Sequence, residues 1–337
     1  MDNVEVAALQ KELEKYVLGL VTNHGEAQGS LHLIHKGNHL VWKGAYRDGY
    51  FALRMADPTH YRAGEWLSAG QEYLLLKDLE QVLLAVPRPH CMIYDFKQPF
   101  LMMEWVDGTP LNGFKETREG HFDAVARAIG TLASQTAITP ERLPFIPRVS
   151  GVREWGNVTR YFRLLDACRR MPQRDVAMWA ARIFPIVARV HYVLSKYRAA
   201  FRGAPWCFHH DGLHAGNVFI REDKSVVFLD WDKVSYRKNP VFTLARFASS
   251  LYPYGRIPAE VFLRLVRVFS EAFGGYDLWP MRHMAACMLL ERLCADLVYG
   301  PWDFARNPAN RGKKMPDSMH AALEMRLFGV RNLLADA

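Results

Sequence analysis

Several sequence features are scarce in this chain of 337 residues, and each scarcity argues against certain classes of protein. It has five cysteines, and no two of them are spaced C-x-x-C, which disfavours a zinc or redox motif. An odd, scattered set of thiols is typical of a reduced protein. The first residues, MDNVEVAALQKELEKYVLGL, lack the basic and then apolar pattern of a secretory signal. Together these absences predict a cytoplasmic location.

Long apolar runs and long basic runs are also missing. A membrane-spanning helix needs about 20 consecutive apolar residues. The best candidate, MWAARIFPIVARVHYVL, is interrupted by Arg182, Arg189 and His191, so we expect no transmembrane segment. The net charge is +8, but the basic residues are dispersed, and nucleic acid is not an expected partner. The charge either favours an anionic partner or reflects a generally basic surface, and it leaves peripheral membrane contact open.

The first third of the chain has strand-like patterns around one helix-like segment. Residues 30–55 contain three alternating runs separated by KGN and RDG, which predicts a three-stranded antiparallel meander. Residues 65–84 carry apolar side chains at three- and four-residue spacing, which predicts a helix. CMIYDF and PFLMMEWV predict two further strands. The predicted element order is therefore β-β-β-α-β-β.

Helix-like patterns dominate the rest of the chain. The predicted helices cover residues 119–136, 153–169, 175–201, 240–252, 258–273, 280–299 and 315–334. The sequence thus predicts an α+β protein with a β-rich lobe over residues 1–105, a linker over 106–111 and a helical lobe over 112–337.

One segment of the helical part has strand character and a dense set of polar side chains. CFHHDGLHAGNVFI contains two glycines, each of which disfavours a helix by about 1 kcal/mol, so it is predicted to be a loop between strands. Asp211, beside two histidines, is a candidate general base. Asn217 and Asp230 are candidate oxygen ligands of Mg²⁺. A base, an amide and an acid in this order are typical of phosphoryl transfer to a hydroxyl.

Other interpretations of the same residues stay open at this point. Asp211, Asn217 and Asp230 could be ordinary turn and strand-end residues. HDGLH imitates the zinc-binding H-E-x-x-H motif, but that motif requires a helix, which Gly212 disfavours. Asp232 is either a second metal ligand or, as the sequence favours, a solvated turn acid.

HHDGLHAGN followed by FLDWD resembles the catalytic segment of the aminoglycoside phosphotransferase and choline kinase-like family, which typically shows HGDLHPGN and then IDW. Upstream, YFALR, AGQEYLLLKDL with VPRP, and PFLMMEWVDGTPL resemble, in order, the family's phosphate-contacting strand, lobe-one helix and hinge. The resemblance implies a protein-kinase-like two-lobe fold. Its N-terminal β-sheet lobe would be small with one helix, and its C-terminal lobe larger and mostly helical.

In the N-terminal lobe, the resemblance implies residues that bind the nucleotide. Arg54, where many relatives have Lys, would hold phosphates of ATP, and Glu72 would pair with it. Glu65 is the substitute for Glu72. The turn ending at Asn38 would lie over the phosphates, and backbone groups from Glu104 to Val106 would face the adenine ring.

In the catalytic segment, the resemblance implies that Asp211 is the catalytic aspartate. Either the family's GD has become DG here, or His209 and Asp211 form the family's H-x-D element and one residue is inserted before Asn217. Asn217 and Asp230 would hold Mg²⁺ while the γ-phosphoryl group of ATP moves to a hydroxyl of a small-molecule acceptor. Candidate acceptors are sugars, glycan precursors, amino alcohols and aminoglycosides. The helical part has no acid cluster for a polycation, so an anionic glycan acceptor is slightly favoured.

Two departures from the family pattern support an alternative function. Gly212 stands where the family has its catalytic Asp, and Asp211 lies one position earlier. Thr243 stands about where the family has an Asp that holds the catalytic loop. The alternative is a pseudokinase that acts as a nucleotide-binding or partner-binding module.

Overall fold

The computed structural model divides the chain into two compact units. The sheet unit comprises Met1–Lys115, Gln135–Pro147 and Gly216–Ser235, and the helical unit comprises Glu116–Ser134, Arg148–Ala215 and Tyr236–Ala337. The structure describes residues 2–18, 21–22, 25–37, 39–46, 48–57, 66–82, 85–113, 119–135, 139–149, 156–170, 173–251, 259–274 and 278–335.

The elements follow the predicted order closely. The strands are β1 (Val21–Thr22), β2 (Gly25–Lys36), β3 (His39–Tyr46), β4 (Gly49–Ala56), β5 (Pro89–Ile93), β6 (Phe100–Glu104), β7 (Thr109–Pro110), β8 (Arg148–Val149), β9 (Cys207–His210), β10 (Val218–Ile220), β11 (Val226–Phe228) and β12 (Val234–Arg237). The helices are α1 (Asn3–Val17), α2 (Ala69–Val82), α3 (Glu119–Ser134), α4 (Gly156–Arg170), α5 (Arg174–Lys196), α6 (Arg198–Arg202), α7 (Phe242–Leu251), α8 (Ala259–Phe273), α9 (Leu278–Arg306) and α10 (Asp317–Ala335).

A six-stranded antiparallel sheet forms the body of the sheet unit, in the order β1-β2-β3-β4-β6-β5. The predicted meander and the two later strands are confirmed. Helix α2 packs against β4, β5 and β6, and its first turn is capped by Ser68, whose hydroxyl accepts from the Gln71 N–H. The buried apolar core on the sheet comprises Val6, Leu13, Val17, Leu31, Leu40, Trp42, Tyr46, Phe51, Leu53, Met55, Phe100 and Met102.

A second, three-stranded sheet lies in the sheet unit and includes strands from Gly216–Ser235, the segment that follows Asp211. Its order is β11-β10-β7, and the Phe228 N–H donates to the Ala85 carbonyl at 2.8 Å. The backbone at Gly108 packs closely against the backbone at Ile220. A Cβ at position 108 would lie 2.8 Å from the Ile220 carbonyl oxygen, so a residue without a side chain is needed there. Asn217 and Asp230 therefore belong to the same unit as Arg54.

Helix α9 is the centre of the helical unit. It packs against α4, α5, α7, α8 and α10, and its buried residues lie on nearly all sides, as expected of a central helix. A small sheet in the order β8-β12-β9 precedes α7 in the chain. The predicted helices are confirmed with two main differences: the helix predicted over 280–299 extends to Arg306, and the one predicted over 175–201 is divided into α5 and α6.

One stretch of helix has the length and composition of a membrane span. Among the described residues, Arg174–Ala199 is the single helical stretch that meets this criterion, and 44% of its apolar window is buried. Trp179, Ile183 and Val190 are buried, and α5 packs against α4 and α9. Core helices meet the same criterion, so the finding is weak support for a span.

The five cysteines are all free, as the sequence predicts. Burial raises the pKa of Cys207 to about 12 and that of Cys287 to about 12. These thiols are therefore protonated and unreactive near neutral pH.

Replacing Leu53, a fully buried residue of β4, tests the sheet core. Leu53→Ala should lower the free energy of unfolding by about 2–5 kcal/mol, because it removes buried methyl groups and leaves a cavity. Leu74→Ala on α2 is the matched control, since Leu74 is 52% exposed, and it should change stability by less than about 0.5 kcal/mol. Urea unfolding of both variants measures the difference, and equal losses would contradict this description of the core.

Candidate active site

A buried arginine lies at the centre of the polar residues in the sheet unit. Arg54 comes from β4, and its Nη1 donates to the carboxylate of Glu72 on α2. Its Nη2 donates to Oδ1 of Asp230 at 2.5 Å and lies 3.1 Å from Nδ1 of His39. The predicted Arg54–Glu72 ion pair is thus confirmed, and Asp230 shares the same guanidinium.

The charges around Arg54 oppose the effect of burial. Burial by itself lowers the pKa of Arg54, but Glu72, Asp230 and Asp232 outweigh it and the pKa is raised. Burial raises the pKa of Glu72 to about 7, against the opposing effect of Arg54. The guanidinium is therefore held charged among three carboxyl groups.

The two predicted metal ligands lie side by side. Nδ2 of Asn217 donates to Oδ2 of Asp230 at 3.3 Å, and the Leu229 N–H donates to the Asn217 carbonyl at 2.8 Å. Asp230 has φ +65°, a left-handed conformation that is uncommon outside glycine but tolerated by Asp. Such conformations cluster at functional sites. This turn directs the Asp230 carboxylate toward Asn217 and Arg54.

Two further residues lie in this group: His39, which the sequence did not single out, and Asp232, for which it favoured a solvated turn. His39, Asp230 and Asp232 each offer a ligand atom, and these atoms lie within 4.8 Å of one another. The interpretation of Asp232 as a solvated acid was wrong, because its side chain is buried 3.8 Å from both Arg54 and His39. Burial and then Asp230 raise the pKa of Asp232 to about 6. Burial and then Arg54 lower the pKa of His39 to about 3.

Strand register explains why His39 lies beside Arg54. Val41 of β3 pairs with Arg54 of β4, so His39, Val41, Ala52 and Arg54 share one face of the sheet. The alternation along HLVWKGAY could have placed His39 on the face of Val41. The sequence does not show that Arg54 of β4 lies opposite Val41, and without this register His39 could not be placed beside Arg54.

These side chains line a cavity of about 340 Å³ within the sheet unit. One part of the lining is polar and the remainder is mostly apolar. The lining residues are Ile34, His35, His39, Val41, Ala52, Arg54, Glu72, Pro87, Met103, Glu104, Trp105, Val106, Asn217, Phe219, Leu229, Asp230 and Trp231. A cavity of this size with a few convergent polar groups is typical of a small-molecule site.

The predicted hinge segment forms part of this lining. The carboxylate of Glu104 accepts from Arg221 Nη2 at 2.5 Å and from the Arg88 N–H at 3.1 Å, so its side chain is held by protein partners. The Glu104 N–H donates to the Arg88 carbonyl at 2.8 Å and the Trp105 N–H to the Tyr50 carbonyl at 3.4 Å, so these two backbone donors also have protein partners. Asn38 and Glu65, also proposed from the sequence, lie outside the described residues.

The candidate base lies in the helical unit, directly after β9. Arg237 holds the Asp211 carboxylate with two hydrogen bonds, from Nη2 at 2.7 Å and from Nε at 3.3 Å. The Arg237 guanidinium also stacks 3.9 Å above the ring of Phe242. The fork geometry fixes the plane of the Asp211 carboxylate.

The two histidines before Asp211 are fully buried. Nδ1 of His209 lies 2.8 Å from the Thr243 hydroxyl, and burial lowers the pKa of His209 to about 3, so the ring is neutral. The Gly212 N–H donates to Nδ1 of His210 at 3.2 Å. Thr243 stands about where the family has an Asp, and its hydroxyl contacts His209, two residues before Asp211.

Comparison with known families supports one class of function. Residues 25–265 match the model of the phosphotransferase enzyme family. No curated protein matches the sequence with significance.

Several solved structures share the fold. An aminoglycoside phosphotransferase from Alicyclobacillus acidocaldarius superposes with a TM-score of 0.66 at 14% identity, over 96% of this chain and 94% of that chain. A choline kinase from Cryptosporidium parvum Iowa II has a TM-score of 0.62 at 13% identity, over 98% and 97%. A spectinomycin phosphotransferase, in complex with ADP and spectinomycin, has a TM-score of 0.59 at 10% identity, over 94% and 97%.

At these identities the structures establish the fold alone, which is the predicted kinase-like α+β fold. The predicted resemblance is confirmed, and the pseudokinase alternative finds no support in the family or in the neighbours. Because the family model covers more than half of the sequence, the chain belongs to the phosphotransferase enzyme family, as a small-molecule kinase that acts on a hydroxyl acceptor.

Proposed function

We propose that the protein transfers the γ-phosphoryl group of ATP to a hydroxyl of a small molecule with the help of Mg²⁺. One observation carries this proposal. Arg54, Glu72, Asn217 and Asp230 line one cavity together with apolar residues, a combination that suits the phosphates and the base of a nucleotide. The predicted lobes, over residues 1–105 and 112–337 with a hinge at 106–111, and the cytoplasmic location remain parts of the proposal.

The cavity lining suggests how ATP would bind. The adenine ring would lie among the apolar residues and bond to the backbone between Glu104 and Val106. Arg54 would bind phosphate oxygens, since its planar fork suits them. Glu72 holds Nη1 of Arg54 and so orients Nη2 toward Asp230. A Lys at this position would offer one point charge instead of a fork.

The donor set at Asn217 and Asp230 fits Mg²⁺. The two side chains are adjacent, with Nδ2 of Asn217 3.3 Å from Oδ2 of Asp230, and a carboxylate and an amide can each provide a hard oxygen ligand. Mg²⁺ usually completes its shell with water and phosphate oxygens. When held by Asn217 and Asp230, the ion would supply positive charge that offsets the negative charge developing on the transferred phosphoryl group. Asp232 and His39 offer further ligand atoms within 4.8 Å of that of Asp230.

Asp211 would act on the acceptor. The acceptor oxygen forms a bond to the γ-phosphorus, the bond to the bridging oxygen of ADP breaks, and the hydroxyl proton passes to Asp211. Arg237 would keep the Asp211 carboxylate oriented through its two hydrogen bonds. Buried His209, which is hydrogen-bonded to Thr243, would help to position the segment that carries Asp211.

Asp230→Asn tests the metal assignment. Asn tolerates the left-handed backbone conformation of Asp230, so the variant should fold. Because the anionic ligand is lost, kcat/KM should fall about 10³-fold and the rise in melting temperature caused by Mg²⁺ and ATP should shrink. Asp48→Asn, on an exposed turn of the same unit, should keep both properties. Wild-type turnover by Asp230→Asn would refute the assignment.

Asp211→Asn tests the proposed base. The rate constant kcat should fall about 10²–10⁴-fold, because the hydroxyl proton loses its acceptor. Stabilisation by Mg²⁺ and ATP should persist, since the nucleotide residues are unchanged. ADP release with sugars, amino alcohols and aminoglycosides measures the effect, with exposed Glu222→Gln as the control. Unchanged kcat in Asp211→Asn would remove Asp211 from the mechanism.

A further inference from the structure

Arg246 in the helical unit is an arginine with an unusual environment. It lies on α7, a helix whose other residues are almost all buried. Its Nε is buried and has no hydrogen-bond partner among the described residues, and no ion pair to its guanidinium is found in that part of the chain. Buried guanidinium groups normally have partners, because an unpaired buried charge is costly.

The neighbouring helices add more arginines than acids. On α9, Arg292 Nη2 donates to Oδ1 of Asp296 at 3.2 Å. On α10, Arg326 Nε lies 3.8 Å from Oδ2 of the same carboxylate. These arginine side chains are only 12% and 21% exposed. The single carboxylate of Asp296 is therefore shared by Arg292 and Arg326. Among the described residues, no carboxylate forms an ion pair with Arg246.

The electrostatic neighbours of Arg246 connect this cluster to the candidate base. Burial and then Arg292 lower the pKa of Arg246 to about 10, against the opposing effects of Asp296 and Asp211. Arg237 also acts on it, although that guanidinium is already paired with Asp211. The guanidinium groups of Arg292 and Arg237 thus act on Arg246 together with the carboxylates of Asp296 and Asp211, and two of these four groups, Arg237 and Asp211, pair with each other.

We propose that Arg246, Arg292 and Arg326 form an arginine cluster that binds an anionic group, a phosphate or a carboxylate, on the acceptor molecule. The inference deepens the proposed function and rests on it for the acceptor's reaction. Guanidinium forks match both groups bidentately, and an anion held there supplies the missing counter-charge. The acceptor class is therefore an anionic hydroxyl compound, such as a sugar phosphate or sugar acid, and not a polycation.

A phosphate titration tests the cluster without any turnover. Inorganic phosphate should raise the melting temperature of the wild-type protein at constant ionic strength. The titration is repeated with Mg²⁺ and a non-hydrolysable ATP analogue, so that the nucleotide residues are occupied. Arg246→Gln should weaken apparent phosphate binding at least about tenfold, because a charge-assisted contact is lost. Arg267→Gln removes an equal charge from an exposed site on α8 and should bind phosphate like the wild type.

The melting temperature in the absence of phosphate gives a second readout. Arg246→Gln should melt at or above the wild-type temperature, because it removes a buried charge that lacks a partner. A structural arginine would behave in the opposite way. The proposal is overturned if Arg246→Gln melts well below the wild type, if it binds phosphate like Arg267→Gln, or if phosphate fails to stabilise the wild-type protein.

Matched acceptors test the substrate class. Glycerol 3-phosphate is compared with glycerol, and glucuronate with glucose, by ADP release. The anionic member of a pair should have at least about tenfold higher kcat/KM, and Arg246→Gln should reduce that ratio mainly through KM. Preference for a neutral or cationic acceptor would overturn the inference. If no acceptor is phosphorylated at all, the proposed function fails, and the phosphate titration still decides whether the cluster binds anions.

Discussion

The guanidinium of Arg54 is the feature on which the sheet unit's cavity depends. It is buried, and its ion pairs link three parts of the chain: β4, which carries it, α2, which supplies Glu72, and the segment after β11, which supplies Asp230 and Asp232. A charge in such a place requires partners, because an unpaired buried charge is costly. The ion pairs therefore fix how these three elements pack around the cavity.

This network is better explained by function than by stability. Buried ion pairs often stabilise a protein no more than apolar side chains of the same volume would. The apolar core under the sheet, with Trp42, Leu53 and Phe100 fully buried, supplies the stability instead. Asp230, in a left-handed conformation and partly exposed, is the member of the network least explained by packing. The arginine cluster of the helical unit repeats this pattern, since it too concentrates charge where an apolar group would pack more favourably.

Much of the candidate site could be predicted because it lies in one short segment. The order of Asp211, Asn217 and Asp230 indicated phosphoryl transfer, and the structure brings Asn217 and Asp230 into contact. His39 and Asp232 were missed or misassigned for a physical reason. Alternation along a strand gives the faces of that strand, but the partner residue depends on register, and the burial of a turn acid depends on what packs over it.

The sequence by itself determined the positions of most helices and of the longer strands, because hydrophobic periodicity and turn residues act locally. The family followed from the resemblance of HHDGLHAGN and FLDWD to the family's catalytic segment. Only the tertiary structure decided which distant residues share an environment. It joined Gly216–Ser235 to the sheet unit through β10 and β11, and it buried Asp232 beside Arg54. It also buried Nε of Arg246 without a hydrogen-bond partner among the described residues. These outcomes depend on contacts between residues far apart in the chain, and no local pattern of side chains encodes such contacts.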